Sequence, residues 1–572
     1  MAMTDYNLLK ILSNISKLLE IKGENQFKAR AYSNAARYIH ENDIDIEKAV
    51  RNGTLEEIPG VGRALKEKIS DYVENGEMEY YRRLTAEVPE SLLEITKIGN
   101  LGAKRVGKIY RHLGIETLEQ LEKACNDGTL ENMKGFGPRF IEIILNGIRH
   151  RKASRGRFIN QQSLALTEDI LEELKNDDNV SLISTAGQTR RFGELVERMD
   201  YVATAESDKK LIDVLVRNNI KAAADGSVSG ETPNGIPVRI KNVPRRDFYW
   251  RLHSETGSEE YIGAFIEYAC KKGYEADSEE LRKNGERIAF ESEEKIYDLL
   301  GLQYVPPELR EFAFAADRAA EGKIPRLIEK SDLRGMLHVH SDWSDGRDTL
   351  LDMVRAAENL GFGYFAICDH SRTAGYAHGL SIERVIEQQN EIDRITARGL
   401  VGIPVLKGIE SDILKDGSLD YPEEILRQFD IIVASIHSNF RMDKEEMTRR
   451  IIKAVENPYT TILGHPSGRL LSVRPAYEID VRRVIDAAVA NGKIIEINSN
   501  PYRLDLDWRN AIYAKEKGLK MAINPDSHQT RTLTDVFYGI NVARKGWLEP
   551  SDVVNCLEYE DFAEKYVKIW QK

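Results

Sequence analysis

The spacing of apolar residues changes twice along the chain. From Leu8 to Ile21 they recur with helical period, and short amphipathic stretches of the same kind continue to about residue 95, separated by turns at Asn52-Gly53 and Pro59-Gly60. Between residues 160 and 315, strand-like runs (Val180–Ser184, Val238–Val243) alternate with helical ones, which predicts an α+β region. Pro306-Pro307 and the stretch 316–333 read as an exit and a linker. Strand and helix then alternate to the end. The predicted strands are Met336–His340, Tyr364–Ile367, Ile403–Gly408, Ile431–His437, Thr460–Gly464, Lys493–Ile497 and Met521–Asn524. Seven strands in a segment close to the ~250 residues of a (β/α) barrel predict a parallel barrel.

A short motif recurs three times in the helical part: Ile58 to Ile69, Ile98 to Val106, and Met133 to Arg139. Each copy has an apolar residue, a glycine loop, and a helix start carrying Lys or Arg. The glycines are Gly60 and Gly62, Gly99 and Gly102, and Gly135 and Gly137; the second pair departs from the GxG spacing. Glycine lets a tight loop bring backbone N–H groups up to an anion beside a helix N-terminus, and Lys104 and Arg139 add charge there. Residues 97–160 hold 13 Lys and Arg against 6 Asp and Glu, whereas residues 1–100 hold 14 against 17. This local basic stretch fits a phosphate-binding footprint.

Composition narrows the class. The chain has 572 residues, 41% hydrophobic and 30% charged, which fits a soluble protein of about four domains. No apolar run reaches membrane-span length, and the first residues do not resemble a signal peptide. Four cysteines without a CxxC pair exclude a disulfide framework or zinc ribbon and fit a reducing cytoplasm. A net charge of −12 excludes a uniformly basic nucleic-acid binder.

Seven of the 11 histidines follow residue 337. His338 and His340 alternate along the first predicted barrel strand, so both imidazoles reach one face. Asp345, His370, Glu410, His437, His465, Asp526 and His528 fall at or just beyond the C-terminal ends of successive strands, where barrels of this kind place their chemistry. Six histidines and three carboxylates without thiolates suit Zn²⁺, Mn²⁺ or Fe²⁺. His378, Asp369, Glu496 and Asp505 are given no role.

These motifs resemble the polymerase and histidinol phosphatase (PHP) domain over residues 334–572. The resemblance implies a distorted (β/α)7 barrel holding three divalent ions, Mn²⁺ or Zn²⁺. His338, His340, Glu410 and Asp526 would hold one, Asp345, His370 and His528 the second, and Glu410, His437 and His465 the third. Glu410, His338 and His340 would lie closest to the catalytic chemistry. Arg469 and Arg503 are candidates for holding substrate phosphate.

The glycine motifs resemble helix-hairpin-helix elements, which grip the DNA backbone, and residues 1–315 resemble a family X DNA polymerase. The implied organisation is a helical lyase-like domain (1–85), fingers (86–155), a polymerase beta-like palm (156–245), a thumb (246–315), a linker (316–333) and the PHP domain (334–572). Lys68 aligns with the Schiff-base lysine of the family's deoxyribose-phosphate lyase; Lys66 lies close by, and a helix-surface lysine is the reading preferred.

The palm departs from the family pattern. Gln188 stands where the family has a phosphate-binding serine, Arg198 where it has the first catalytic aspartate, and Arg239 where it has the third; only Asp200 remains. The nucleotide loop becomes Ser254–Ser258. Two arginines at ion positions repel Mg²⁺, so no Mg²⁺ is expected at the palm. Arg190, Arg191, Arg198 and Arg239 could instead form a phosphate-binding surface.

The expected function is a cytoplasmic, monomeric, metal-dependent DNA 3′→5′ exonuclease of base excision repair. Abasic-site cleavage is an extension of it. The polymerase module would be inactive and used to bind gapped, nicked or 3′-ended DNA through its backbone. The alternatives are an active gap-filling polymerase with a PHP editing domain, a small-molecule phosphatase and a non-catalytic scaffold.

Overall fold

The computed structural model describes residues 3–41, 44–99, 101–153 and 155–571. It divides into two compact units, residues 1–155 and 156–572.

The first unit is helical. Helices Met3–Lys22 and Gln26–Glu41 lead into shorter ones, and a single apolar core runs from Leu8 to Ile148. That core is continuous across residue 85, so the expected lyase-like and fingers regions share their packing. The three glycine loops have the same backbone pattern. Val61, Leu101 and Phe136 donate to the carbonyls of Ile58, Ile98 and Met133 at 2.9, 3.0 and 3.1 Å. All three donors belong to buried side chains, which pins each loop to the core. Gly62 and Gly102 cap helices Arg63–Asn75 and Ala103–Leu113, and Gly137 precedes helix Pro138–Ala153. Gly60 and Gly135 adopt φ of +89° and +98°. The matching position in the second copy is Asn100, outside the described residues; Gly99 occupies the place of Pro59 and Lys134.

The second unit begins with the palm-like region. Strands β1 (Phe158–Ile159) and β3 (Leu195–Val196) form a small pair. The main sheet has β2 (Val180–Ala186), β4 (Met199–Ala205), β5 (Lys221–Ala222), β6 (Ser229–Glu231) and β7 (Pro237–Asn242) in the order β2-β4-β7-β6-β5. A thumb-like helical cluster follows, with the small sheet β8 (Glu275–Ala276), β9 (Leu281–Lys283) and β10 (Glu286–Arg287).

The stretch read as a linker is packed, not free. Ala316, Ala319, Ile324 and Leu327 join the thumb core, and Ile328 and Leu333 join the barrel core. Its alanines and isolated aliphatics have no clear period, so their burial was not legible locally.

The barrel strands are β11 (Gly335–Met336), β12 (Tyr364–Ile367), β13 (Val405–Asp412), β14 (Ile431–Ser435), β15 (Ile462–Leu463), β16 (Ile494–Asn498) and β17 (Met521–Asn524), parallel and in sequence order. Inward residues Tyr364, Leu406, Ile431, Ile462, Ile494 and Ala522 fill the barrel floor. The predicted first strand is shorter than expected. Leu337 joins the interior cluster and His338 also turns inward, which interrupts the alternation. Beyond it, His340 N donates to Ser527 O at 2.8 Å and Asp526 N to His338 O at 3.2 Å, bridging the two end strands. The result is a nearly closed seven-stranded barrel.

Buried ion pairs tie palm, thumb and barrel together. Glu293, on the thumb, accepts from Arg310 at 2.6 Å and also from Arg190. Burial opposes ionisation of Glu293, but the two guanidiniums outweigh it and lower its pKa to about 2. Glu311 accepts from Arg191 at 3.0 Å and from barrel Lys545 at 2.5 Å, and Lys545 also donates to Arg191 O at 2.9 Å.

Candidate metal centre and the altered palm

The barrel strands turn from apolar to polar at their C-terminal ends. Along β13 the inward column runs Leu406, Gly408, Glu410, Asp412. Glu410 is fully buried at the centre of the cluster. Its Oε1 lies 3.0 Å from His465 Nε2, 3.3 Å from His437 Nε2 and 3.5 Å from His338 Nε2. Its Oε2 lies 3.0 Å from His370 Nδ1 and 3.6 Å from His340 Nε2. Asp526 Oδ1 is 3.1 Å from His340 Nε2. Asp345 Oδ1 is 3.2 Å from His528 Nε2 and 3.6 Å from His370 Nε2. The nine side chains singled out from the sequence therefore converge at one rim.

Three subsets bring one donor atom each to within 4.8 Å of one another: His340, Asp345, His370 and His528; His338, His340 and Asp526; and His370, Glu410 and His437. The grouping differs in detail from that implied by the resemblance, because His340 and His370 each stand between two subsets. His378 is exposed and belongs to none of them.

Divalent ions fit this donor set. Inside the cluster, Glu410 Oε2 and His370 Nδ1 are buried and 3.0 Å apart, yet neither makes a hydrogen bond among the described residues. Buried polar atoms are normally paired, so such a pair marks atoms shaped for another partner. Charge points the same way. Burial would raise the Glu410 carboxyl, but His437, His338 and His370 hold it well below the ordinary range. Burial would lower His437 and His528, but Glu410 and Asp412 raise the first to about 10, and Asp345 and Asp526 raise the second to about 9. His340 goes the other way: burial, then His528 and His370, lower it to about 3. Imidazoles and carboxylates without thiolates suit Zn²⁺, Mn²⁺ or Fe²⁺.

Sequence reasoning missed the residues that orient these donors. Glu496 accepts from His338 Nδ1 at 2.7 Å, His465 N at 3.1 Å, Asn498 Nδ2 at 2.9 Å and Asn524 Nδ2 at 3.0 Å. Asp412 lies 2.6 Å from His437 Nδ1. Asp369 accepts from Ser341 N and Oγ at 2.8 and 2.7 Å and from Gln388 Nε2 at 2.6 Å, fixing the loop after His340. Asp505 accepts from Ser467 N and Gly468 N, both at 2.9 Å, holding the loop after His465. The inward parity of Glu496 on β16, and of Asp412 two residues beyond Glu410, was the available signal.

The two candidate phosphate arginines are placed differently. Arg503 Nε lies 3.8 Å from Asp526 Oδ2, at the rim of the cluster. Arg469 donates to Arg503 O at 2.9 Å, to Leu504 O and to palm residue Glu194, so its guanidinium is committed to joining barrel and palm.

In the palm, parallel pairing of β4 and β7 sets Asp200 opposite Arg239, with Arg198 two residues before Asp200. Asp200 Oδ1 accepts from Arg198 Nε at 2.7 Å and from Arg239 Nε at 2.8 Å. Arg239 also donates to Glu255 at 2.8 Å. Gln188 Oε1 accepts from Glu197 N at 2.8 Å. Arg190 and Arg191 do not join a phosphate-binding surface as expected. Their guanidiniums are committed to thumb residues Glu293, Thr256 and Glu311, because helix Phe248–Thr256 packs over the turn that carries them.

In the helical unit a Cβ added at Gly62, Gly99, Gly102 or Gly137 would meet nothing within 4 Å, so internal packing does not require glycine there. Lys108 Nζ donates to Lys134 O at 2.6 Å, linking the second and third motifs. Lys104 lies in the first turn of its helix, as does Arg139. Lys68 Nζ donates to Ala64 O at 2.7 Å and lies 4.8 Å from the Tyr80 ring centre; burial lowers its pKa.

Comparison with known proteins agrees with this architecture. A helix-hairpin-helix domain model matches residues 3–78, a DNA polymerase beta thumb model residues 251–311 and a PHP domain model residues 336–500. The DNA polymerase/3'-5' exonuclease PolX of Bacillus subtilis (strain 168) is 33% identical over 573 residues, covering 98% of this chain and 99% of that protein. A probable phosphatase of Caldanaerobacter subterraneus subsp. tengcongensis is 31% identical over 191 residues, 32% of this chain and 70% of that protein. One of Thermoanaerobacter pseudethanolicus is 32% identical over 191 residues, 32% of this chain and 72% of that protein. The helix-hairpin-helix and thumb matches indicate DNA binding, and no helix among the described residues is long and apolar enough to cross a membrane. Matched end to end by such a relative, with thumb and PHP regions in the same order, the chain belongs to the family X DNA polymerases that carry a C-terminal PHP domain.

Proposed function

We propose that this protein is a metal-dependent 3′→5′ DNA exonuclease whose polymerase palm no longer transfers nucleotides. One contrast carries the reading. Glu410 and eight other ligand-type side chains converge intact, whereas Asp200 of the palm is clamped between Arg198 and Arg239. When bound at the barrel rim, divalent ions such as Mn²⁺ or Zn²⁺ acidify a coordinated water and polarise a phosphoryl oxygen, the chemistry of phosphodiester hydrolysis.

The chain's own residues do the rest. Glu496 holds the Nδ1 side of His338, which leaves Nε2 facing the cluster, and Asp412 does the same for His437. Arg503 sets a positive charge at the rim for a substrate phosphate. The glycine loops of the helical unit grip the DNA backbone without reading its sequence. The palm serves as a structural partner of the barrel, joined to it directly through Glu194 and Arg191 and by way of thumb residue Glu311. Limits at residues 155, 245 and 333 complete the proposal, with 1–155 packed around one core and most of 316–327 belonging to the thumb, as does a monomer acting in the cytoplasm.

The test is a 5′-labelled primer on a gapped template, incubated with Mn²⁺ with and without the four deoxynucleotides. Shortening in both cases, abolished by His338→Ala with His340→Ala, is expected. Nucleotide-dependent extension would refute the inactive palm and make the protein a gap-filling polymerase with an editing domain. Release of phosphate from small esters, with DNA left intact, would favour the activity named for the shorter relatives.

A further inference from the structure

The loop between β12 and helix Ile382–Ala397 presents an aromatic ring at the mouth of the metal centre. Tyr376 is 68% exposed, yet its ring centre lies 6.0 Å from that of His370 and 6.2 Å from that of His437. The ring planes are tilted by 59° and 69°, and at that exposure at least one ring face is open.

The loop that carries it is firmly anchored. Ser371 N donates to Glu410 O at 3.0 Å, Leu380 N to His370 O at 2.8 Å and Thr373 N to Asp420 Oδ2 at 2.7 Å. Ala374 and Ala377, on either side of the tyrosine, are fully buried. A Cβ at Gly379 would lie 1.9 Å from Ser371 O, so the turn closes only with glycine at that position. The backbone that carries the exposed ring is therefore held in place by its neighbours.

Single exposed apolar side chains are common on protein surfaces and need no explanation. Tyr376 differs in being aromatic, carried on an anchored backbone and set beside two candidate ligand residues. Arg503, 3.8 Å from Asp526, stands at the rim of the same cluster, so an aromatic ring and a cation both border the candidate metal centre. That pairing suits a nucleotide, with a π-face to stack and a phosphate to neutralise.

We propose that Tyr376 is the stacking platform for the base of the terminal nucleotide, so that the site favours base-bearing strand ends over phosphodiesters without a base. This rests on the exonuclease reading above and adds to it the means of selection.

The test uses the full-length, Mn²⁺-loaded protein on two 3′ ends: an ordinary nucleotide and a tetrahydrofuran abasic nucleotide in the same strand. The wild type should prefer the base-bearing end. Tyr376→Ala should lower kcat/KM on that end by about 5- to 150-fold, the span expected for one stacked base, chiefly through KM. The preference between ends should collapse toward one. Tyr376→Phe should retain it, and Tyr376→Leu should not. Equal losses on both ends, or a drop in bound metal in Tyr376→Ala, would assign the ring to the metal centre and overturn the platform, as would an unchanged preference. A wild type that loads metal but shortens neither end would refute the exonuclease reading itself.

Discussion

Replacing Glu496 by Gln probes the metal centre without removing any of its nine candidate ligands. The Glu496 carboxylate is fully buried and accepts four hydrogen bonds, from His338 Nδ1, His465 N, Asn498 Nδ2 and Asn524 Nδ2. An amide keeps the volume but turns two acceptor sites into donors. Each oxygen accepts two of these bonds, so two of the four partners then face another N–H, and His338 loses the carboxylate that fixes its tautomer and raises its basicity. Loss of a partner of this kind lowers metal affinity about 10- to 100-fold. At about 1.4 kcal/mol per tenfold, that corresponds to roughly 1.4 to 2.8 kcal/mol. The assay is a Mn²⁺ titration of metal-stripped protein, read both by calorimetry and by primer shortening. Glu496→Gln should need about 10- to 100-fold more Mn²⁺ for half-activity and recover most of the rate at saturation, because every ligand remains. Wild-type affinity in a folded variant would refute the assignment of Glu496 as the residue that orients His338. A loss of rate that excess metal does not restore would mean that Glu496 acts on the substrate.

Three further outcomes follow from the geometry. Asp200→Ala should leave primer shortening within twofold of wild type and cost only about 1 kcal/mol, since its partners Arg198 and Arg239 are part-exposed and Arg239 keeps Glu255; loss of any nucleotide incorporation in this variant would show a working palm. Lys545→Met should lower stability to denaturant by about 3 kcal/mol, because it leaves Arg191 O and one side of Glu311 without their buried partner; an unchanged unfolding midpoint would refute a structural role for that network. Chelation should abolish shortening and lower the thermal midpoint of the barrel, by the equivalent of about 2.7 kcal/mol if the ion was present at a hundred times its dissociation constant. A chelator-resistant nuclease would exclude the proposed centre.

Much of this protein is encoded over short distances. Seven short apolar runs predicted the barrel strands to within a few residues, because strands buried on both faces read as continuous apolar segments between helices. The ligand types were legible for the same reason: a barrel brings every strand's C-terminal end to one rim, so residues at those ends meet without further information. The three glycine loops were visible because backbone conformation limits the residues that close them, although the second copy places Gly99 one position from where its partners carry glycine. The pairing of Asp200 with Arg239 follows from strand register.

Contacts between distant segments were decided only by the tertiary structure. Glu496 reaches His338 across 158 positions, and Arg469 reaches Glu194 across 275. A buried carboxylate has the same local signature whether it binds an ion, orients an imidazole or holds a loop; its partners alone distinguish Glu410 from Glu496 and Asp505. Arg190 and Arg191 look like a phosphate clamp until the thumb packs over them and converts their charges into internal pairs. Tyr376 is an ordinary loop residue in the chain and acquires significance only beside His370 and His437. Local period and steric limits determined which elements form and which residue types stand at their ends. Side-chain roles were settled by electrostatics between groups far apart in sequence, because charge and burial depend on what surrounds a group in space.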